Sequence, residues 1–101
     1  MRYIINTMKT VNAIMVNSMD NCVTLTGATD SGDTVRIFTD GDVRNITARE
    51  HVPIWHKMAI APVKQGHEVL KYGSVIGIAQ KDIGPGEHIH IHNLTSPRIG
   101  G

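Results

Sequence analysis

The sequence predicts an all-β domain, on three observations. Apolar and polar residues alternate: Val23 and Leu25 with Thr24 and Thr26, Val35 and Ile37 about Arg36, Ile89 and Ile91 among His88, His90 and His92. That period of two marks strands with one buried face. No apolar stripe of helical period is sustained, and the most the pattern allows is a single turn near residues 55–60, after Pro53. Glycine-containing turns punctuate the candidate strands throughout.

Taken in order, residues 1–10 read as an N-terminal extension, 11–95 as the β domain and 96–101 as a polar tail ending in Gly-Gly. Asp20-Asn21 has the composition of a turn. One frame recurs: Thr29-Asp-Ser-Gly32-Asp-Thr-Val35, Val63-Lys-Gln-Gly66-His-Glu-Val69 and Ile83-Gly-Pro-Gly86-Glu-His-Ile89. Each glycine is flanked, three residues away on both sides, by a β-branched residue. Glycine takes the positive φ that a tight reversal requires. The intervals of 34 and 20 residues exclude a solenoid. They leave ordinary hairpin chemistry and a deeper symmetry equally open.

With 101 residues the chain is one domain or one small subunit. Its 41% apolar content suffices for a modest core but not for an enclosed deep cavity. Tyr3, Phe38, Trp55 and Tyr72 are the only aromatics, so aliphatic residues fill that core. A net charge of +1, with no basic run, argues against nucleic-acid binding. Cys22 is the lone cysteine, so no intrachain disulfide forms, and a reducing cytoplasm is the expected location. No stretch is apolar enough for a signal peptide or a membrane span. The sequons at Asn45 and Asn93 are therefore chance matches.

The strongest chemical signal is Gly86-Glu-His88-Ile-His90-Ile-His92-Asn93. On a strand, residues i and i+2 share a face, roughly 6.5–7 Å apart. His88, His90 and His92 are thus expected on one face, with Ile89 and Ile91 in the core. Two such imidazoles can converge on one transition metal, and three span too far. The plain alternative is a solvated, histidine-rich face. Lys71-Tyr72-Gly73 could hold an anion or move a proton, or simply end an amphipathic strand with Lys71 in water. Trp55-His56-Lys57 offers a bulky wall and two groups for a carboxylate or for acid–base work. His51 and His67 read as surface residues, and Cys22 as a small buried one.

Asp20-Asn21, His56-Lys57, Val69-Leu-Lys71-Tyr72-Gly73, Ile76-Gly77 and Gly86-Glu-His88-Ile-His90-Ile-His92-Asn93, in that order, resemble the N-terminal SAF-type domain of altronate and galactarate dehydratases. The likeness covers roughly residues 12–94. It implies a small β-clip fold and a lyase that dehydrates a sugar acid with a divalent metal, iron or manganese. It also implies a large catalytic partner, as a fused domain or a separate subunit; self-association of the small chain stays open. Residue by residue, the resemblance implies metal contact at His88 and His90, and substrate contact at Lys57, Asn21 and Asn93. Proton transfer falls to His56, Lys71 and Tyr72. Two departures stand out. Trp55 occupies a position where the family usually has glycine, and residues 24–33 are more polar than the family's Ala/Leu-rich stretch.

The implied reaction explains these residue types. Elimination β to a carboxylate removes a weakly acidic α-proton, and a metal stabilises the developing enediolate and the departing hydroxide. A His, Lys or Tyr moves the proton, typically for about 10²–10⁴-fold. So small a β domain is expected to meet a larger partner at the site. Two competing readings keep the fold: the small subunit of a sulfolactate sulfo-lyase, and a non-catalytic module that binds sugar acids.

Overall fold

The computed structural model describes residues 8–96, and among them are nine strands and no helix. They are β1 (Thr10–Ile14), β2 (Cys22–Thr24), β3 (Thr34–Thr39), β4 (Asp42–Thr47), β5 (Lys57–Ala59), β6 (Glu68–Lys71), β7 (Ser74–Ala79), β8 (His88–Ile89) and β9 (Leu94–Thr95). Three three-stranded sheets result, ordered β1-β3-β4, β2-β5-β8 and β6-β7-β9. All pairs are antiparallel except β1 with β3. The all-β prediction holds. In β3 the alternation works as read: Val35 and Ile37 are buried and Arg36 faces out. Near residues 55–60 the expected turn is not helical, because a tight reversal at 54–55 runs straight into β5. The extension and tail over 1–7 and 97–101 lie outside the described residues. Lys9, just before β1, already pairs its ammonium with the buried Asp33, at 2.7 Å.

The recurring glycine frame organises the fold. Gly32, Gly66 and Gly86 have φ of +97°, +87° and +90°, and each lies in a tight turn closed by an N–H···O=C bond across three residues. Four residues before each bridge position stands a buried aliphatic anchor, giving Leu25–Thr29–Gly32–Val35, Ala59–Val63–Gly66–Val69 and Ala79–Ile83–Gly86–Ile89. A fourth copy has the same spacing without glycine: Ala48–Val52–Trp55–Met58. Here Trp55 itself takes a positive φ, +69°.

The copies clasp in reciprocal pairs. Gly32 donates its N–H to the Ala48 carbonyl while Trp55 donates to that of Leu25, and Thr29 bridges Val52. In the same way Gly66 donates to Ala79 and Gly86 to Ala59, with Val63 bridging Ile83. Each clasp encloses its own core. Val23, Leu25, Val35, Ile37, Val52 and Met58 pack in one, and Val63, Val69, Ala79, Ile83 and Ile89 in the other. Strand β5 belongs to both, with Met58 in the first core and Ala59 in the second.

Candidate functional site

The clasps determine where the chemistry sits. β5 pairs with β8, Lys57 opposite Ile89 and Met58 opposite His88, so the Trp55 and Gly86 turns deliver their following residues side by side. In the Gly32 and Gly86 copies the residue after glycine is an acid that accepts the amide N–H three positions earlier. Asp33 accepts from Asp30 at 2.8 Å, and Glu87 from Gly84 at 2.9 Å. In the Trp55 copy that earlier residue is Pro53, which has no N–H to satisfy. The N–H at position 56 still closes the turn on the Pro53 carbonyl at 3.1 Å, but its side chain has no amide to cap and is an imidazole. The Pro-x-x-His spacing was the sequence signal for this.

His56 Nδ1 and His88 Nε2 lie 2.9 Å apart, one donating and the other accepting. The His56 ring stacks on His90, with centroids 4.7 Å apart and planes 24° apart. His88 lies 5.5 Å from His90 and 5.4 Å from His92, centroid to centroid. His56 and His90 line an open hollow of about 410 Å³ with Trp55, Lys57, Ile91 and Leu94. Burial first, then the neighbouring imidazoles of His90, His56 and His92, push the His88 pKa down from 6.5 to about 4. The imidazole is therefore neutral at neutral pH, the form in which it binds a metal or accepts a proton.

The three imidazoles do gather, but not as a strand face. β8 ends at Ile89, and Ile91, expected in the core, is 84% exposed. The reason is Asn93. Its Oδ1 accepts the His90 N–H at 3.0 Å and its Nδ2 donates to the His88 carbonyl at 2.8 Å, closing a turn that ends the ladder and lifts Ile91 outward. Asn93 is buried, so in this structure its amide positions the histidines.

The remaining candidates lie apart from the hollow. Lys71, whose plain reading was a solvated strand end, is only 6% exposed, and its ammonium sits 3.5 Å from the Tyr72 ring centroid. Tyr72 has φ +55° and is held there by the buried Asp20, whose carboxylate accepts the N–H groups of Tyr72 at 2.9 Å and Gly73 at 2.8 Å. Asn21 clamps β6, accepting from Leu70 N at 2.7 Å and donating to the Glu68 carbonyl at 3.0 Å. Burial raises the Cys22 thiol to about 11 against the opposing pull of Lys71 and Lys57, so both ammoniums lie within electrostatic reach of that sulfur.

Two acid-dependent effects follow. An unfolded histidine titrates near 6.5, whereas His88 holds out to about 4 when folded. The unfolded chain thus binds the extra proton between these values, and the His88 contribution is lost as pH falls from 6.5 toward 4. Asp33, held down to about 2 chiefly by its hydrogen bond from Lys9, contributes stability above 3.8 that is lost as pH falls toward 2. Denaturant midpoints against pH are expected to show both windows. His88→Ala should flatten the upper window alone and Asp33→Asn the lower.

The donor set is incomplete for a self-contained metal centre. Two imidazoles bonded to one ion place their ring centres roughly 5 Å apart, and His88 and His90 stand at 5.5 Å. Among the described residues, no three His, Cys, Asp or Glu side chains are grouped to hold an ion. A metal held by His88 and His90 would take its other ligands from elsewhere.

Clasped turns, short sheets and a histidine-lined hollow at one sheet edge define a small β-clip domain with a candidate site at that edge. Residues 11–97 match the model of the altronate/galactarate dehydratase SAF domain, and the chain belongs to that family. It is similar to altronate dehydratase of Escherichia coli, 34% identical over 83 residues, which is 82% of this chain but 16% of that enzyme. Altronate dehydratase of Bacillus subtilis is 38% identical over 52 residues, or 52% of this chain and 10% of its own length. The (2R)-sulfolactate sulfo-lyase subunit alpha of Paracoccus pantotrophus is 36% identical over 62 residues, 61% of this chain and 92% of that subunit. These relatives are lyases, and the domain occurs in them both within a much longer chain and as a separate subunit. No helix among the described residues is long and apolar enough to cross a membrane.

Proposed function

We propose that the chain is the small half of a metal-dependent hydro-lyase that dehydrates a sugar acid such as altronate or galactarate, its site completed by a larger catalytic chain or domain. The supporting observation is the imidazole group of His56, His88 and His90 beside Lys57, open on one side and short of a full ligand set. His88 and His90 would hold a divalent iron or manganese ion, which would supply Lewis acidity toward the acid's carboxylate and hydroxyl. Lys57 offers its ammonium to the substrate carboxylate. In taking a metal at Nε2, His88 would give up its 2.9 Å bond to His56 Nδ1, leaving His56 a ring nitrogen with which to accept the α-proton as the C–H electrons form the double bond. That proton could pass to the departing β-hydroxyl, which leaves as water. Lys71 and Tyr72, beyond the hollow, are assigned to the far acidic end of a longer acid and to proton movement there, with Asp20 and Asn21 as their positioning groups. The same reading puts the protein in the cytoplasm, where Cys22 stays reduced.

A second reading has support of its own: the sulfo-lyase relative is matched over 92% of its length. Altronate, galactarate and sulfolactate should be assayed with the chain alone and with the large lyase chain of its own organism. Turnover is expected only with the partner, on a sugar acid. Sulfite released from sulfolactate would establish the second reading instead. Turnover by the chain alone in the range of about 1–10³ s⁻¹ would overturn the two-part site.

A further inference from the structure

Three of the four clasp turns place glycine where φ is positive, and the fourth places Trp55 there, at +69°. A left-handed backbone is costly for an L-residue and most unusual for a bulky one. Such strain persists where something offsets it. Burial is a weak offset here, since the indole is 65% exposed. The turn's hydrogen bonds are no offset either, because glycine makes the same bond in the other three copies. The tryptophan is therefore not explained by the fold of this chain.

Its surroundings point outward. Ile54 beside it is exposed, and Ile91, across the same hollow, is lifted into solvent by the Asn93 turn. Aromatic side chains with an apolar surround are the usual energetic centres of protein interfaces. The relatives indicate what meets this surface. The matched part is 16% of one dehydratase, so 100 − 16 = 84% of that enzyme lies outside it. Ser96 also lines the hollow.

We infer that Trp55 is an interface anchor, held in a left-handed backbone so that its indole, with Ile54 and Ile91, seats against the larger lyase chain at the mouth of the histidine hollow. This rests on the reading of the chain as the small half of a larger lyase. Docking there would close the open side of the hollow and bring the partner's groups to His88 and His90.

Trp55 is the only tryptophan, so 5-fluorotryptophan gives this chain a single ¹⁹F resonance. Adding the unlabelled large lyase chain of the same organism should shift that resonance and remove its sensitivity to H₂O/D₂O exchange. Altronate, galactarate or sulfolactate alone should leave it in place. Trp55→Gly should keep or raise the denaturant midpoint of the free chain while weakening its affinity for the large chain at least tenfold. An unmoved resonance in a complex that forms and turns over, or full affinity in Trp55→Gly, overturns the anchor and leaves the lyase reading standing. A shift caused by the acids alone makes the indole a ligand contact, and one that grows with this chain's own concentration makes the surface a self-association face; either replaces the docking proposal. Failure of any complex to form overturns both the anchor and the two-part lyase.

Discussion

Gly86→Ala is expected to destabilise the chain by roughly 2–5 kcal/mol, well beyond the same change at Gly66. Both glycines hold the same place in a clasp turn, at φ +90° and +87°. Forcing an L-residue into that conformation costs about 1–2 kcal/mol in either case. They differ in the space available. A Cβ at Gly66 meets nothing within 4 Å, whereas at Gly86 it would run into the Thr47 carbonyl and the Arg49 backbone and side chain. Backbone atoms cannot swing aside as a flexible side chain can, so overpacking adds about 1–3 kcal/mol more. Urea unfolding of the two variants separates the contributions. Equal losses would mean that strand β4 and the Gly86 turn part freely.

His88→Ala and His90→Ala are each expected to lower the activity of the reconstituted lyase at least tenfold, or about 1.4 kcal/mol of transition-state stabilisation. His88→Ala also breaks the 2.9 Å bond to His56, so its loss should be the larger. A half-buried imidazole lost to alanine costs stability on the order of a single hydrogen bond, roughly 0.5–1.5 kcal/mol. Folding should therefore survive both changes. Steady-state kinetics of the complex, with bound metal measured in parallel, distinguishes a ligand role from a structural one. Full activity in both single variants and in the double variant would make the cluster structural.

Much of this was legible in the sequence, for identifiable reasons. Strand β3 announced itself because one face is core and the other solvent, so every second residue had to be apolar. The three glycine turns were visible because positive φ leaves few choices of residue. Their fourth member was hidden, since Trp55 breaks the compositional rule while keeping the geometry. The reciprocal clasps were equally hidden: they join residues such as Leu25 and Trp55, or Ala59 and Gly86, whose pairing no local pattern encodes. Alternation misled at Ile91, because a side-chain amide three residues after His90 closed a turn that ended the strand. The plain reading of Lys71 left it in water because of its charge, whereas the ring of Tyr72 takes the ammonium at a nearly closed site.

Strand β5 is three residues long, and consecutive side chains along it enter different cores. A strand so shared leaves neither half able to open alone without withdrawing a wall from the other, so the two halves are bound into one cooperative unit. His56 and Lys57 stand at its leading end. Local fluctuation that blurred their placement would have to disturb both cores at once, so the candidate site is anchored at a point of low mobility despite its exposure. Slow amide exchange through β5 and fast exchange in the edge strand β4 are the signature of that arrangement.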